Sequence, residues 1–131
     1  MNAAPIVLIV EDNARNMTLV RDVLGHAGYR TLEASDGEQG VALARSHQPD
    51  LILMDIQLPG MDGVEALTRL REDASTAEIP VVALTAFAMK EDRERLLAAG
   101  FRGYIEKPLS VRELPGAVGA LIGVPGPGAR G

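Results

Sequence analysis

The stretch DLILMDIQLPGMDG, residues 50–63, decides the fold. Leu51–Met54 is wholly apolar, as a strand is when its sheet is covered on both faces. It ends on Asp55, a carboxylate at the mouth of an otherwise dry strand. Ile56–Asp62 carries Pro59-Gly60 and reads as a loop. Val64, Leu67 and Leu70 then fall on one stripe of a helix. A strand, an acid, a loop and a helix make half of a β–α–β unit, and the rest of the chain repeats that order.

Upstream, Ile6–Val10 (IVLIV) is another continuously apolar strand. It precedes a helical segment, Ala14–Ala27, with Met17, Val20 and Leu24 on one stripe and Gly28 as its C-terminal cap. Arg30–Ala34 reads as a second, less buried strand. Asp36-Gly37 opens a helix carrying Val41, Leu43 and Ala44, which stops before Pro49. Downstream, Pro80–Leu84 is the fourth strand and Glu91–Ala99 lies in a helix ending at Gly100. Gly103–Glu106 is a short fifth strand, and Val111–Ile122 the last helix. Such regular alternation predicts an α/β fold: a doubly wound, five-stranded parallel sheet of flavodoxin-like order 2-1-3-4-5, with right-handed crossovers. Residues 1–122 are expected to form one domain. The tail 123–131, GVPGPGARG, is too rich in Gly and Pro for either regular element and is expected to be disordered.

Composition narrows the function. The 131 residues carry a net charge of −5 and include no Cys, no Trp, two Phe and two Tyr. Disulfides and thiolate metal sites are therefore excluded. Stacking platforms for single-stranded nucleic acid lack material, and the charge disfavours a phosphate backbone. The start lacks a basic n-region and its apolar run is too short to span a bilayer. The chain is read as cytoplasmic, with no nucleic-acid or membrane partner.

In this architecture ligands collect beyond the carboxyl ends of the strands, where strand order reverses. That point lies between strands one and three. Glu11 and Asp12 directly follow strand one, and Asp55 closes strand three. An isolated acidic pair is ordinarily a solvated loop, but two separate strands delivering carboxylates to the same crevice reverse that reading. Like charges so close repel unless a cation sits among them. Oxygen ligands without Cys or His point to Mg²⁺, which keeps several waters. Strand four ends on Thr85, beside small Ala86. Strand five ends on Lys107-Pro108, bringing an ammonium to a site otherwise too negative for phosphate.

LIVEDN (8–13), DLILMDIQLPGMDG (50–63), PVVALTA (80–86) and YIEKPL (104–109) together resemble the four motif blocks of response-regulator receiver domains (the CheY-like superfamily), over a span from about Ile6 to Ile122. The Glu-Asp-Asn opening and TAFAMKEDRERLLAAG (85–100) are most similar to the single-domain cell-cycle regulators of that family and to receivers of hybrid histidine kinases. The resemblance implies a single-domain response regulator of a two-component phosphorelay. Asp55 would take a phosphoryl group from phosphohistidine of a histidine kinase or histidine phosphotransferase. Asp12 and Asp55 would bind Mg²⁺ directly, Glu11 largely through water, and the backbone carbonyl of Gln57 would complete the protein ligands. Lys107 and Thr85 would contact phosphoryl oxygens, and a cis peptide would precede Pro108. Tyr104 would be the switch aromatic, moving inward as Thr85 is drawn to the phosphoryl group and so presenting a surface to a downstream protein target. The domain would catalyse only its own phosphorylation and dephosphorylation.

Two other readings remain in view. A haloacid-dehalogenase-type phosphatase needs a second Asp two positions after its nucleophile, where this chain has Gln57. A pseudo-receiver would lack chemical residues that are all present here. Among lesser residues, Asn13 is an N-cap of the first helix or a site residue, and Phe87 shields the site or joins the core. His26 and His47 are assigned no role, and Met54, Met61 and Met89 read as packing. Glu106 should turn to the face opposite Lys107. Pro115, Gly116 and Gly119 weaken the last helix, so its partner surface is the least determined feature.

Overall fold

The computed structural model describes residues 4–86 and 89–122. Five parallel strands, β1 (Ile6–Val10), β2 (Arg30–Ala34), β3 (Leu51–Asp55), β4 (Val81–Thr85) and β5 (Gly103–Glu106), lie in the order β2-β1-β3-β4-β5. Between and after them run α1 (Ala14–His26), α2 (Gly37–His47), α3 (Gly63–Glu72), α4 (Lys90–Ala99) and α5 (Leu114–Leu121). This is the expected doubly wound sheet.

The apolar strands divide their side chains by alternation. Val7, Ile9, Leu51, Leu53, Val82 and Leu84 face α1 and α5, where Met17, Val20, Leu24, Leu114 and Val118 meet them. Leu8, Val10, Ile52, Met54, Val81 and Ala83 face the other way, onto α2, α3 and α4 through Val41, Ala44, Leu67, Leu70 and Leu96. Every residue of β3 and β4 is buried, whereas β2 at the sheet edge is mostly not. Each large side chain so buried contributes about 1.5–3 kcal/mol.

Side-chain caps fix where the site-bearing loops hand over to helices. Asn13, Asp36 and Asp62 each accept the backbone N–H three residues on, at 3.0, 2.8 and 2.8 Å, a contact ordinarily worth about 1 kcal/mol. Gly100 closes α4 at φ +114°, a conformation that costs glycine little.

Several element ends differ from expectation by one residue, and two starts differ for a visible reason. Strand four begins at Val81, one residue late, because Pro80 has no N–H to give the ladder; its carbonyl still accepts from Ile52 at 3.0 Å. The last helix runs over Leu114–Leu121 and starts three residues after Val111. Glu113 offers it no side-chain cap, and Pro115 sits in its first turn, the position proline tolerates. The expectations for Phe87 and for residues 123–131 fall outside the described residues. No helix among the described residues is long and apolar enough to cross a membrane.

Candidate functional site

Three strand ends and two tight turns assemble one acidic pocket. Leaving β1, the chain delivers Glu11, buried at 1% exposure, and then Asp12, which is exposed. From β3 comes Asp55, at 3% exposure. One carboxylate oxygen from each lies within 4.8 Å of the others. From β5, Lys107 reaches over this group, its Nζ 3.0 Å from Asp55 Oδ2 and 3.1 Å from Glu11 Oε1. The Lys107 backbone is set by its N–H donating to the Thr85 carbonyl at 2.8 Å, and the Lys107–Pro108 peptide is cis.

Backbone amides hold the carboxylates in place. Gln57 N–H donates to Asp55 Oδ1 at 3.0 Å, and Asn13 N–H donates to Glu11 Oε2 at 3.1 Å. The Asn13 side chain caps α1, one of the two roles its position suggested. Gly63 lets the loop close behind Asp55: a Cβ there would stand 2.5 Å from the Asp55 carbonyl oxygen.

Two of the three carboxylates, Glu11 and Asp55, share one ammonium. Burial raises the Glu11 carboxyl above its usual range and the neighbouring Asp55 raises it further, against the opposing pull of the Asn13 amide and Lys107. Burial works against the Lys107 ammonium, but its hydrogen bond and charge attraction to Asp55, then to Glu11, outweigh it and hold Lys107 more firmly protonated. The two shifts are compatible because Lys107 gains from two acids while Glu11 faces both burial and a second carboxylate. Glu11 Oε1 is buried without a well-aligned hydrogen bond, for its contact with Lys107 is an ion pair only. An all-oxygen donor set with such a half-satisfied carboxylate and excess negative charge suits a hard divalent cation, Mg²⁺ foremost.

Thr85 is buried at the end of β4, one residue beyond Leu84, the register partner of Asp55. Glu106 pairs with Thr85 in register and is exposed, as alternation implied. Tyr104 lies apart from the acidic group. Its ring packs against the core on the α4 side, and its hydroxyl accepts a 3.2 Å hydrogen bond from Arg93 Nη1. The sequence offered no sign of Arg93, one cation among several on a charged helix. Gly63 was more visible, as a glycine directly after a capping Asp.

Known proteins share both the fold and the length of this chain. The family model described as "Response regulator receiver domain" matches residues 7–119. The polar-differentiation response regulator DivK of Brucella anthropi is 47% identical over 117 residues, covering 89% of this chain and 95% of DivK. Among solved structures, the receiver domain of sensor histidine kinase PA1611 from Pseudomonas aeruginosa superposes with a TM-score of 0.84 at 38% identity, over 93% of this chain and 100% of that one. That structure holds a magnesium ion coordinated in its active-site cleft. The Vibrio cholerae chemotaxis protein CheY4 gives a TM-score of 0.86 at 28% identity, over 92% and 100%.

Proposed function

This chain belongs to the response regulator receiver domain family, and on that premise we propose that it acts as a single-domain response regulator whose Asp55 accepts a phosphoryl group from a phosphohistidine. The observation that carries the reading is Asp55 itself: a nearly buried carboxylate bonded to Lys107 at 3.0 Å and flanked by Glu11 and Asp12. Little else explains that much charge at a strand end.

An Asp55 carboxylate oxygen attacks phosphorus, the P–N bond to the donor imidazole breaks, and its electron pair stays on the ring nitrogen. The product is an acyl phosphate on Asp55. Such transfers depend on alignment and charge neutralisation more than on covalent assistance. The Gln57 amide fixes one Asp55 oxygen and so aims the other. Lys107, already poised on Asp55, turns its ammonium to a phosphoryl oxygen, and the Thr85 hydroxyl serves another. Asp12 and Asp55 would hold Mg²⁺ directly, Glu11 through water, with the Gln57 carbonyl completing the set. When bound, Mg²⁺ supplies the positive charge that lets phosphate approach three carboxylates.

The added group brings up to ~2 negative charges, enough to re-bias a loop and a helix face. Tyr104 is the aromatic that reports the change, at the edge strand beside α4. The donor is a histidine kinase or histidine phosphotransferase and the recipient a further protein, in a cytoplasmic setting. The direct test offers the chain a histidine phosphotransferase carrying radiolabelled phosphohistidine. Label should pass to the wild type with Mg²⁺ present and to neither Asp55→Asn nor the chelated reaction. Equal labelling of Asp55→Asn would overturn the proposal.

A further inference from the structure

We infer that Arg93 is a positioning residue that acts through Tyr104, latching α4 to β5 in the resting state and thereby setting how readily the site accepts a phosphoryl group. The inference rests on the proposed function, in which Tyr104 reports the occupancy of Asp55.

Three observations carry it. The first is how lightly α4 is held. Leu96 is its one buried side chain among the described residues, and its first turn has no side-chain cap. A helix with so little apolar anchorage depends on its polar ties.

The second is where the tie from Arg93 leads. Its Nη1 donates to the Tyr104 hydroxyl at 3.2 Å, and its guanidinium carbon stands 6.0 Å from the ring centroid. Glu106, two residues along β5 and so on the same strand face, adds an attractive charge. One guanidinium thus joins α4 to the residue that must move.

The third is empty space along another flank of the helix. A cavity of about 160 Å³ lies between α4 and the site, lined by Ile56, Val64, Thr85, Asp92, Arg95 and Leu96. Tyr104 is in register with Ala83, a small residue two positions before Thr85 on the neighbouring strand. Unfilled volume beside a weakly anchored helix defines a second arrangement, and Arg93 opposes the move into it. The cost of breaking its bond is subtracted from the free energy of phosphoryl binding.

The test uses the full chain with Mg²⁺ and beryllofluoride as phosphoryl mimic, with affinity read from amide shifts. Arg93→Ala should tighten mimic binding by roughly 2- to 10-fold, the factor that a hydrogen bond of ordinary net strength represents. Tyr104→Phe, which keeps the ring and removes the acceptor, should tighten it by the same factor. The double variant should gain no more than either single one. An Arg93 that merely stabilises α4 would lower the melting temperature without moving the affinity, and that result overturns the latch. Independent, multiplying effects of the two substitutions overturn it as well. If the wild type takes up the mimic through Asp55 but Arg93→Ala leaves affinity unchanged, the latch alone fails. If Asp55→Asn binds the mimic as well as the wild type, the phosphoacceptor reading fails and the latch with it.

Discussion

Lys107 and Asp12 divide the electrostatic work of the pocket, and each can be removed separately. Lys107 is the cation shared by Glu11 and Asp55, two acids at 1% and 3% exposure. Removing it leaves both without their counter-charge, which is costly for buried groups. The ammonium is itself partly solvated, so Lys107→Ala is expected to destabilise the metal-free chain by about 1–2 kcal/mol, less than a fully buried pair would lose. Urea unfolding measures this, and unchanged stability would mean the acids are better hydrated than their burial implies. Asp12 is exposed and has no such structural duty. Asp12→Ala should leave stability nearly untouched while Mg²⁺ affinity, followed by amide shifts, falls roughly tenfold or more, a loss of ~1.4 kcal/mol at least. Unchanged affinity would return the acidic pair to the status of a solvated loop. Glu11, Asp12, Asp55, Thr85 and Lys107 were all legible in the sequence because strand ends converge in a parallel sheet. Arg93 was not, because it lies on no apolar stripe and its partner is a hydroxyl on the following strand; only the packing of α4 on β5 brings the two together.

At the scale of elements, loops are held by specific contacts that a pattern of apolar residues does not reveal. Gly63 opens α3 and packs under the Asp55 backbone, where a Cβ would be 2.5 Å from the carbonyl oxygen. Gly63→Ala should cost about 1–3 kcal/mol by overpacking and should slow phosphorylation, since the clash falls on Asp55 itself. A variant with normal stability and normal phosphorylation would show that the loop yields freely. Behind α3, Asp73 accepts from the Ser75 hydroxyl at 2.7 Å and amide at 2.9 Å, and pairs with Arg45 of α2 at 2.9 Å. The Ser75 bonds, and then Arg45, hold its carboxyl below its usual range. Stability from a depressed acid is present above its unfolded value and is lost as pH falls through the folded one. Wild type and Asp73→Asn should therefore differ in melting temperature at neutral pH and converge below the carboxylate range. A gap that persists in acid would point to lost shape rather than lost charge. The last helix starts later than apolar spacing suggests, because residues 111–113 form a turn in which the Ser110 hydroxyl accepts from the Glu113 amide at 3.2 Å, and helical pairing begins only at Leu114.

For the molecule as a whole, the sequence was most informative where burial is complete. The unbroken apolar runs of β1, β3 and β4 read as strands covered on both faces, and with two further strands alternating with helices they leave few topologies. The expected sheet order and two cores are those the structure shows. What does not follow is the surface a partner meets, since exposed residues are free of the packing constraint that made the core readable. The account of function therefore depends on one residue at the centre of the sheet. Its most direct test is the intact mass of the chain after incubation with Mg²⁺ and acetyl phosphate, wild type beside Asp55→Asn. The wild type should carry a single base-labile phosphoryl adduct that is missing from Asp55→Asn. The same adduct on both, or none on a folded wild type, would contradict the account.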